Sequence, residues 1–299
     1  MSQTTQNDRS GIGRRTFLKG ATIGTVGITS GVTLSSTNAR AVAPIGVGVA
    51  LGTGAAAGYL MREVQDYFTG VDGSKTYGEL SADQLHSQIR QDGLEMKVAN
   101  DTVLTTFENL LANSRNAAFS NAKYAAIEQM NLGNSESDAK TKANDEIDKY
   151  YVKHQKNLIK HVAVQQSTAQ NWISAINNNS NIGLSTVFPN ANTHKVGNID
   201  LTLVDGTNYS TTKTNIKSGG DHSTATGTIQ PTGSGNNLEV KPTGETGQTK
   251  LVFDRGRFDG VWTDIQNQHS TVKSEIETWV SNVYPSYNQG DIQLSDLVN

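Results

Sequence analysis

DAKTKANDEIDKYYVKHQKNLIKHVAVQQSTAQNWISAIN, residues 138–177, is the stretch on which the fold turns. Ile147, Tyr151, His154, Leu158, His161, Gln165, Thr168, Trp172 and Ala175 step through it by alternating fours and threes, a heptad seam with an unusually polar middle. Beside the seam runs a more apolar line through Ile159, Val162, Ala169, Ile173 and Ile176. One helix of this length would extend about 60 Å.

The segment before it is helical too. Val103, Leu104, Phe107, Leu110, Leu111, Ala118, Ala122, Ala125 and Met130 lie on one face of a helix that starts at Leu94 or Asn100. Gly133 and Asn134 end it, and Ser135 or Ser137 starts the next, so the two long helices are antiparallel neighbours in a hairpin. A short helix is expected ahead of them, capped by Ser81, with Asp83 and Gln84 in its first turn, and broken at Asp92-Gly93.

Beyond residue 181 the texture changes. Residues 182–254 are rich in Thr, Gly, Ser and Asn and carry short alternating runs: Ile199, Leu201 and Leu203; Thr226, Thr228 and Gln230; Leu238 and Val240; Leu251 and Phe253. Turn signals such as Asp205-Gly206 and Thr243-Gly244 separate them, which predicts a small antiparallel β module of five or six short strands. Helical spacing returns at Phe258, Trp262, Ile265, His269, Val272, Ile276, Trp279 and Val283 and is expected to stop before Pro285. The fold class is α+β: an elongated antiparallel long-helix hairpin (71–181), an inserted β module (182–254) and a third long helix (255–284) completing a coiled-coil-like stalk. Residues 285–299 read as the start of a further, truncated element.

The N-terminus reads differently. Arg14 and Arg15, followed by Phe17, Leu18 and a weakly apolar run to Leu34, have the layout of a twin-arginine export signal, with the Tat translocase as the export partner. Ala39 and Ala41 flank Arg40 in a small-x-small pattern, which places cleavage after Ala41 and residues 1–41 in the signal. Its removal takes away Arg9, Arg14, Arg15, Lys19 and Arg40 against Asp8 alone, so the formal charge falls from −3 to −7. Within residues 42–70, the twenty residues Val42–Met61 carry no charge and are dominated by Gly, Ala and Val. They suit a buried close-packed helix, a membrane-active terminus or a transmembrane span; Ile45, Val47, Val49, Leu51 and Leu60 are the residues that would touch lipid. Gly52, Gly54 and Gly58 imitate a dinucleotide loop, but no βαβ pattern surrounds them.

Composition removes whole classes of chemistry. With no cysteine in 299 residues there is no disulfide, thiolate metal site, cysteine nucleophile or thioether lipid anchor. The acidic balance offers nucleic acid no electrostatic footprint. His154 and His161 are seven residues apart, not the four that one metal would need, and read as polar core. No Gly-x-Ser-x-Gly elbow, HExxH or P-loop occurs, so neither catalysis nor a cofactor is expected. Asn100, Asn178 and Asn208 each precede a hydroxyl residue by two places and are N-glycosylation acceptors.

The arginine pair at Arg14 and Arg15, the Gly/Ala-rich segment from Ala41 to Tyr59, the hairpin through Trp172 and Ile176, the β excursion and the closing helix with Trp262 and Trp279 together resemble the N-terminal region of pleolipovirus spike proteins. These are the envelope proteins of haloarchaeal pleomorphic viruses, encoded also by proviruses. The resemblance implies a non-enzymatic surface spike on a virion envelope or cell exterior, which attaches to a host receptor and fuses virion and host membranes. It also implies a longer chain with a C-terminal membrane anchor. A secreted haloarchaeal adhesin or stalk protein is the alternative, and an exported cofactor-carrying enzyme rests on the export route alone.

Overall fold

The two long helices form, and they run further than periodicity indicates. In the computed structural model α1 is Ala82–Asn131 and α2 is Glu136–Asn178. At 1.5 Å per residue they are about 75 and 65 Å long. The chain divides into two units, Met1–Gly52 and Thr53–Asn299. The residues described are 77, 79–217, 225–233, 235–244 and 247–289, all in the second unit.

Both helices begin with a capping box. The Ser81 hydroxyl accepts from the Gln84 amide while the Gln84 side chain accepts from the Ser81 amide; Ser135 and Asp138 repeat the exchange. Ser135, not Ser137, is therefore the cap of α2. The turn between the helices closes on Gly133, whose φ of 72° belongs to the left-handed region a glycine enters without strain.

The expected break at Asp92-Gly93 is absent, and α1 is continuous through both residues. Tertiary contacts override the local signal. Asp92 is buried, with its carboxylate accepting from the Tyr77 hydroxyl (3.0 Å) and the Gln88 amide (2.8 Å). Gly93 is where a strand of the β module meets the helix: a Cβ here would lie 2.7 Å from Val252 Cγ1. Packing against a neighbour, rather than chain reversal, accounts for this glycine.

After α2 come a single helical turn, α3 (Leu184–Val187), and five strands: β1 (Thr193–Thr202), β2 (Asn208–Lys217), β3 (Ala225–Ile229), β4 (Leu238–Val240) and β5 (Lys250–Phe253). They form two antiparallel sheets, β1-β2-β3 and β4-β5. The β1–β2 hairpin pairs Thr193 with Lys217 through to Thr202 with Asn208, closing over Asp205-Gly206. β2 has no counterpart in the sequence reading, because its run of Thr, Lys and Asn is polar on both faces.

The last helix, α4, is Arg255–Gln289 and passes through Pro285 instead of stopping before it. Residues 285–289 thus belong to this helix and not to a further element. Proline removes one helical amide, but the end of α4 is pinned independently: the Tyr284 hydroxyl donates to the Asn134 carbonyl (3.0 Å) and the Tyr287 hydroxyl to that of Met130 (3.1 Å). Such cross-links put α4 parallel to α1 and antiparallel to α2, so the three form one bundle with a common core.

That core varies along its length. Toward the α1–α2 turn the fully buried positions of the hairpin are mostly small, with Ala118, Ala122 and Ala126 on α1 and Ala139 and Ala143 on α2, and Met130, Ile276 and Val280 fill the space between them. Toward the β module they are large, including Trp172, Phe253 and Phe258. Among the described residues no helix is long and apolar enough to cross a membrane.

Candidate functional site: a polar belt at the centre of the bundle

Between those two apolar regions α2 buries a run of polar side chains. His154, Gln155, His161, Gln165 and Gln166 are each no more than 5% exposed. Helical geometry sends them in two directions: His154, His161 and Gln165 keep the heptad seam, while Gln155 and Gln166 each lie one residue beyond it and, with Gln170, turn toward the β module.

On the bundle side the groups interlock with α1 and α4. His161 donates from Nε2 to Asn100 Oδ1 (2.9 Å) and stacks on Phe258, ring centroids 5.7 Å apart. His154 sits edge-on to Tyr150 at 4.9 Å. The Tyr151 hydroxyl and the Ser114 hydroxyl both donate to Gln268 Oε1, and the Gln268 amide donates to the Leu111 carbonyl. Nearer the surface His269 donates to Asp148 Oδ1 (2.6 Å), which also accepts from Lys273 (2.9 Å).

Not every group in the belt is satisfied. Gln165 is fully buried, yet neither atom of its amide has a hydrogen-bond partner among the described residues, and neither does His154 Nδ1. Burial without a counter-charge disfavours the charged imidazole, lowering the pKa of His154 to about 4 and that of His161 to about 3. Desolvation raises the Tyr151 phenol above its ordinary range. Both histidines are therefore neutral core groups at neutral pH, and no cluster of metal-ligating residues occurs among the described residues.

On the module side the same helix holds backbone. Gln155 Oε1 accepts from the Val204 amide (2.8 Å), and Gln166 donates to the Thr212 and Ile229 carbonyls while its Oε1 accepts from the Thr212 hydroxyl. From α1, Arg90 donates to the carbonyls of Lys241 (2.7 Å) and Gln248 (3.0 Å), and His86 donates to that of Lys241 (3.2 Å). These polar side chains seat the β module through its backbone, at the Val204 amide and the carbonyls of Thr212, Ile229, Lys241 and Gln248. Sequence reading missed His86, Arg90, Gln166 and Gln170. The available signal was the i,i+4 spacing of each pair, which by itself does not distinguish a clamp from a solvated face.

The glycosylation acceptors part company here. Asn178, the last residue of α2, and Asn208, the first of β2, are exposed. Asn100 is 2% exposed, its Oδ1 accepting from His161 and its Nδ2, the atom a glycan would use, enclosed in the bundle, which leaves no room for a glycan in the folded chain. The export residues Arg14, Arg15, Phe17, Leu18, Ala39 and Ala41, and the lipid-facing candidates Ile45, Val47, Val49, Leu51 and Leu60, lie outside the described residues.

Comparison with known proteins agrees with this architecture. A family model described as archaeal pleolipovirus envelope fusion protein matches residues 64–299. The envelope protein of Halorubrum pleomorphic virus 1 is 22% identical over 249 residues, covering 73% of this chain and 48% of that one, so the chain spans about half the length of this relative. The crystal structure of VP5 from Haloarchaeal pleomorphic virus 2 superposes with a TM-score of 0.60 at 25% identity, covering 73% of this chain and 47% of that one. VP5 from Haloarchaeal pleomorphic virus 6 shares the fold, with a TM-score of 0.57 at 23% identity over 69% of this chain and 96% of that one. The chain belongs to the archaeal pleolipovirus envelope fusion protein family.

Proposed function

We propose that this protein is a surface spike of a haloarchaeal virus or provirus, which attaches to a host-cell receptor and fuses virion and host membranes. The observation that carries this reading is the family match over residues 64–299 to envelope fusion proteins, supported by a helical bundle and seated β module that share the VP5 fold. The twin-arginine layout at Arg14 and Arg15 supports delivery through the Tat translocase to the exterior, and the uncharged Val42–Met61 segment supplies the apolar length for lipid contact. The role is non-enzymatic, with receptor and lipid as partners. Glycans at Asn178 and Asn208 would decorate exposed positions, one at the end of α2 and one within the β module.

The test uses the full-length spike in molar salt. Flotation with phosphatidylglycerol vesicles and dequenching of a lipid dye report membrane binding and mixing, and binding to host cells reports attachment. Membrane binding with lipid mixing is expected. Cell binding without either would favour an adhesin, and absence of all three would remove the proposal.

A further inference from the structure

We propose that the polar belt of α2, from His154 to Gln166, is where the helical bundle opens while both of its ends stay packed, and that the membrane-fusing rearrangement starts there; this last step rests on the fusion reading above. The belt interrupts the hydrophobic core on two sides of one helix at once. Toward α1 and α4 it presents His154, His161 and Gln165; toward the β module it presents Gln155 and Gln166, which hydrogen-bond to backbone and to the Thr212 hydroxyl.

The energetic asymmetry with the flanks is direct. Separating an apolar layer exposes hydrocarbon to water with nothing gained in return. Separating the belt exposes polar groups that water solvates well, and Gln165 and His154 gain hydrogen bonds that the described protein atoms do not supply. Leu158, Ile159 and Val162 keep the belt closed at rest, being buried within it. The flanks bury mainly hydrocarbon, with Ala139, Ala143 and Ile147 on one side and Ala169, Trp172 and Ile173 on the other. Among the described residues each flank holds a single buried polar atom without a partner, Asn144 Oδ1 and Trp172 Nε1, against His154 Nδ1, Gln155 Nε2 and both amide atoms of Gln165 in the belt. Opening at the centre is thus favoured over fraying from either end, the reverse of the usual order in a long helix.

Hydrogen exchange on the purified full chain in molar salt tests the opening. Amides of residues 154–166 are expected to exchange at least tenfold faster than those of 139–147 and 169–176. Equal protection along α2, or greatest protection at its centre, would overturn the proposal. Gln165→Leu should bring the belt's exchange down to that of its flanks and raise Tm; His154→Leu serves the same purpose if the first variant does not fold. In the full-length spike the same variant should bind cells normally and mix lipids several-fold more slowly. Normal lipid mixing despite slowed exchange would overturn the link to fusion. Absence of lipid mixing in the unmutated spike would overturn the fusion reading itself, while the exchange result would still decide where the bundle opens.

Discussion

Mild acidification should weaken this fold, because two histidines are buried as neutral groups. The pKa values of His154 and His161 are depressed to about 4 and about 3 by burial, against about 6.5 in an unfolded chain. Between those limits the unfolded chain binds more protons than the folded one, so stability falls as pH falls. It is complete above about pH 7, begins to decline near the unfolded value and continues to drop until the folded values are passed. At 1.36 kcal/mol per pKa unit, each histidine costs roughly 2 kcal/mol at pH 5, and the pair costs about 4 kcal/mol, a large part of a typical domain's stability. Burial also depresses His86, which adds in the same direction. Chemical denaturation at pH 7.5 and pH 5.0, in molar salt, measures the difference. The control is the double variant His154→Gln, His161→Gln, which carries amides that do not titrate. The unmutated chain should lose about 4 kcal/mol over this interval and the double variant less than about 1. Equal losses in the two proteins would refute the reasoning, since the proton uptake would then lie elsewhere.

Three further outcomes follow from the packing. Gly93→Ala raises helix propensity by about 1 kcal/mol, but its methyl meets Val252 Cγ1 at 2.7 Å; the expected net effect is a loss of about 1–2 kcal/mol, read from the urea midpoint. Arg90→Ala removes the bonds to three module carbonyls (Val240, Lys241 and Gln248), which should cost about 2–3 kcal/mol and speed hydrogen exchange in residues 238–253 without affecting 139–147. Mass spectrometry of peptides from the protein made in a haloarchaeal host should find glycan at Asn178 or Asn208 and none at Asn100; a modified Asn100 would mean that the His161 contact forms otherwise.

Periodicity revealed the long helices because each buries one face. The seam from Ile147 through Trp172 appears in the sequence at the spacing the bundle uses, and its fully buried members Tyr151, Leu158 and Trp172 lie where the heptad puts them. Local breakers misled where packing outweighs propensity. Asp92 and Gly93 look like a turn but serve Tyr77, Gln88 and Val252, and Pro285 lies inside a helix whose end is held by two tyrosine hydroxyls. Strand β2 was invisible because half of its residues face neither a uniform core nor uniform solvent, so no alternation develops.

Local chemistry along the chain determined the order of the long helices, the place of the β excursion, the export layout and the absence of cysteine chemistry. These depend on residues near one another in sequence, where spacing and side-chain type carry the information. Tertiary structure alone decided what the polar seam residues do. His161 and Asn100 are 61 positions apart and meet only when α1 and α2 pack. That contact turns a sequon into a buried hydrogen-bond partner and a histidine into a neutral core group, because solvation and partner geometry belong to the assembled bundle rather than to any one segment.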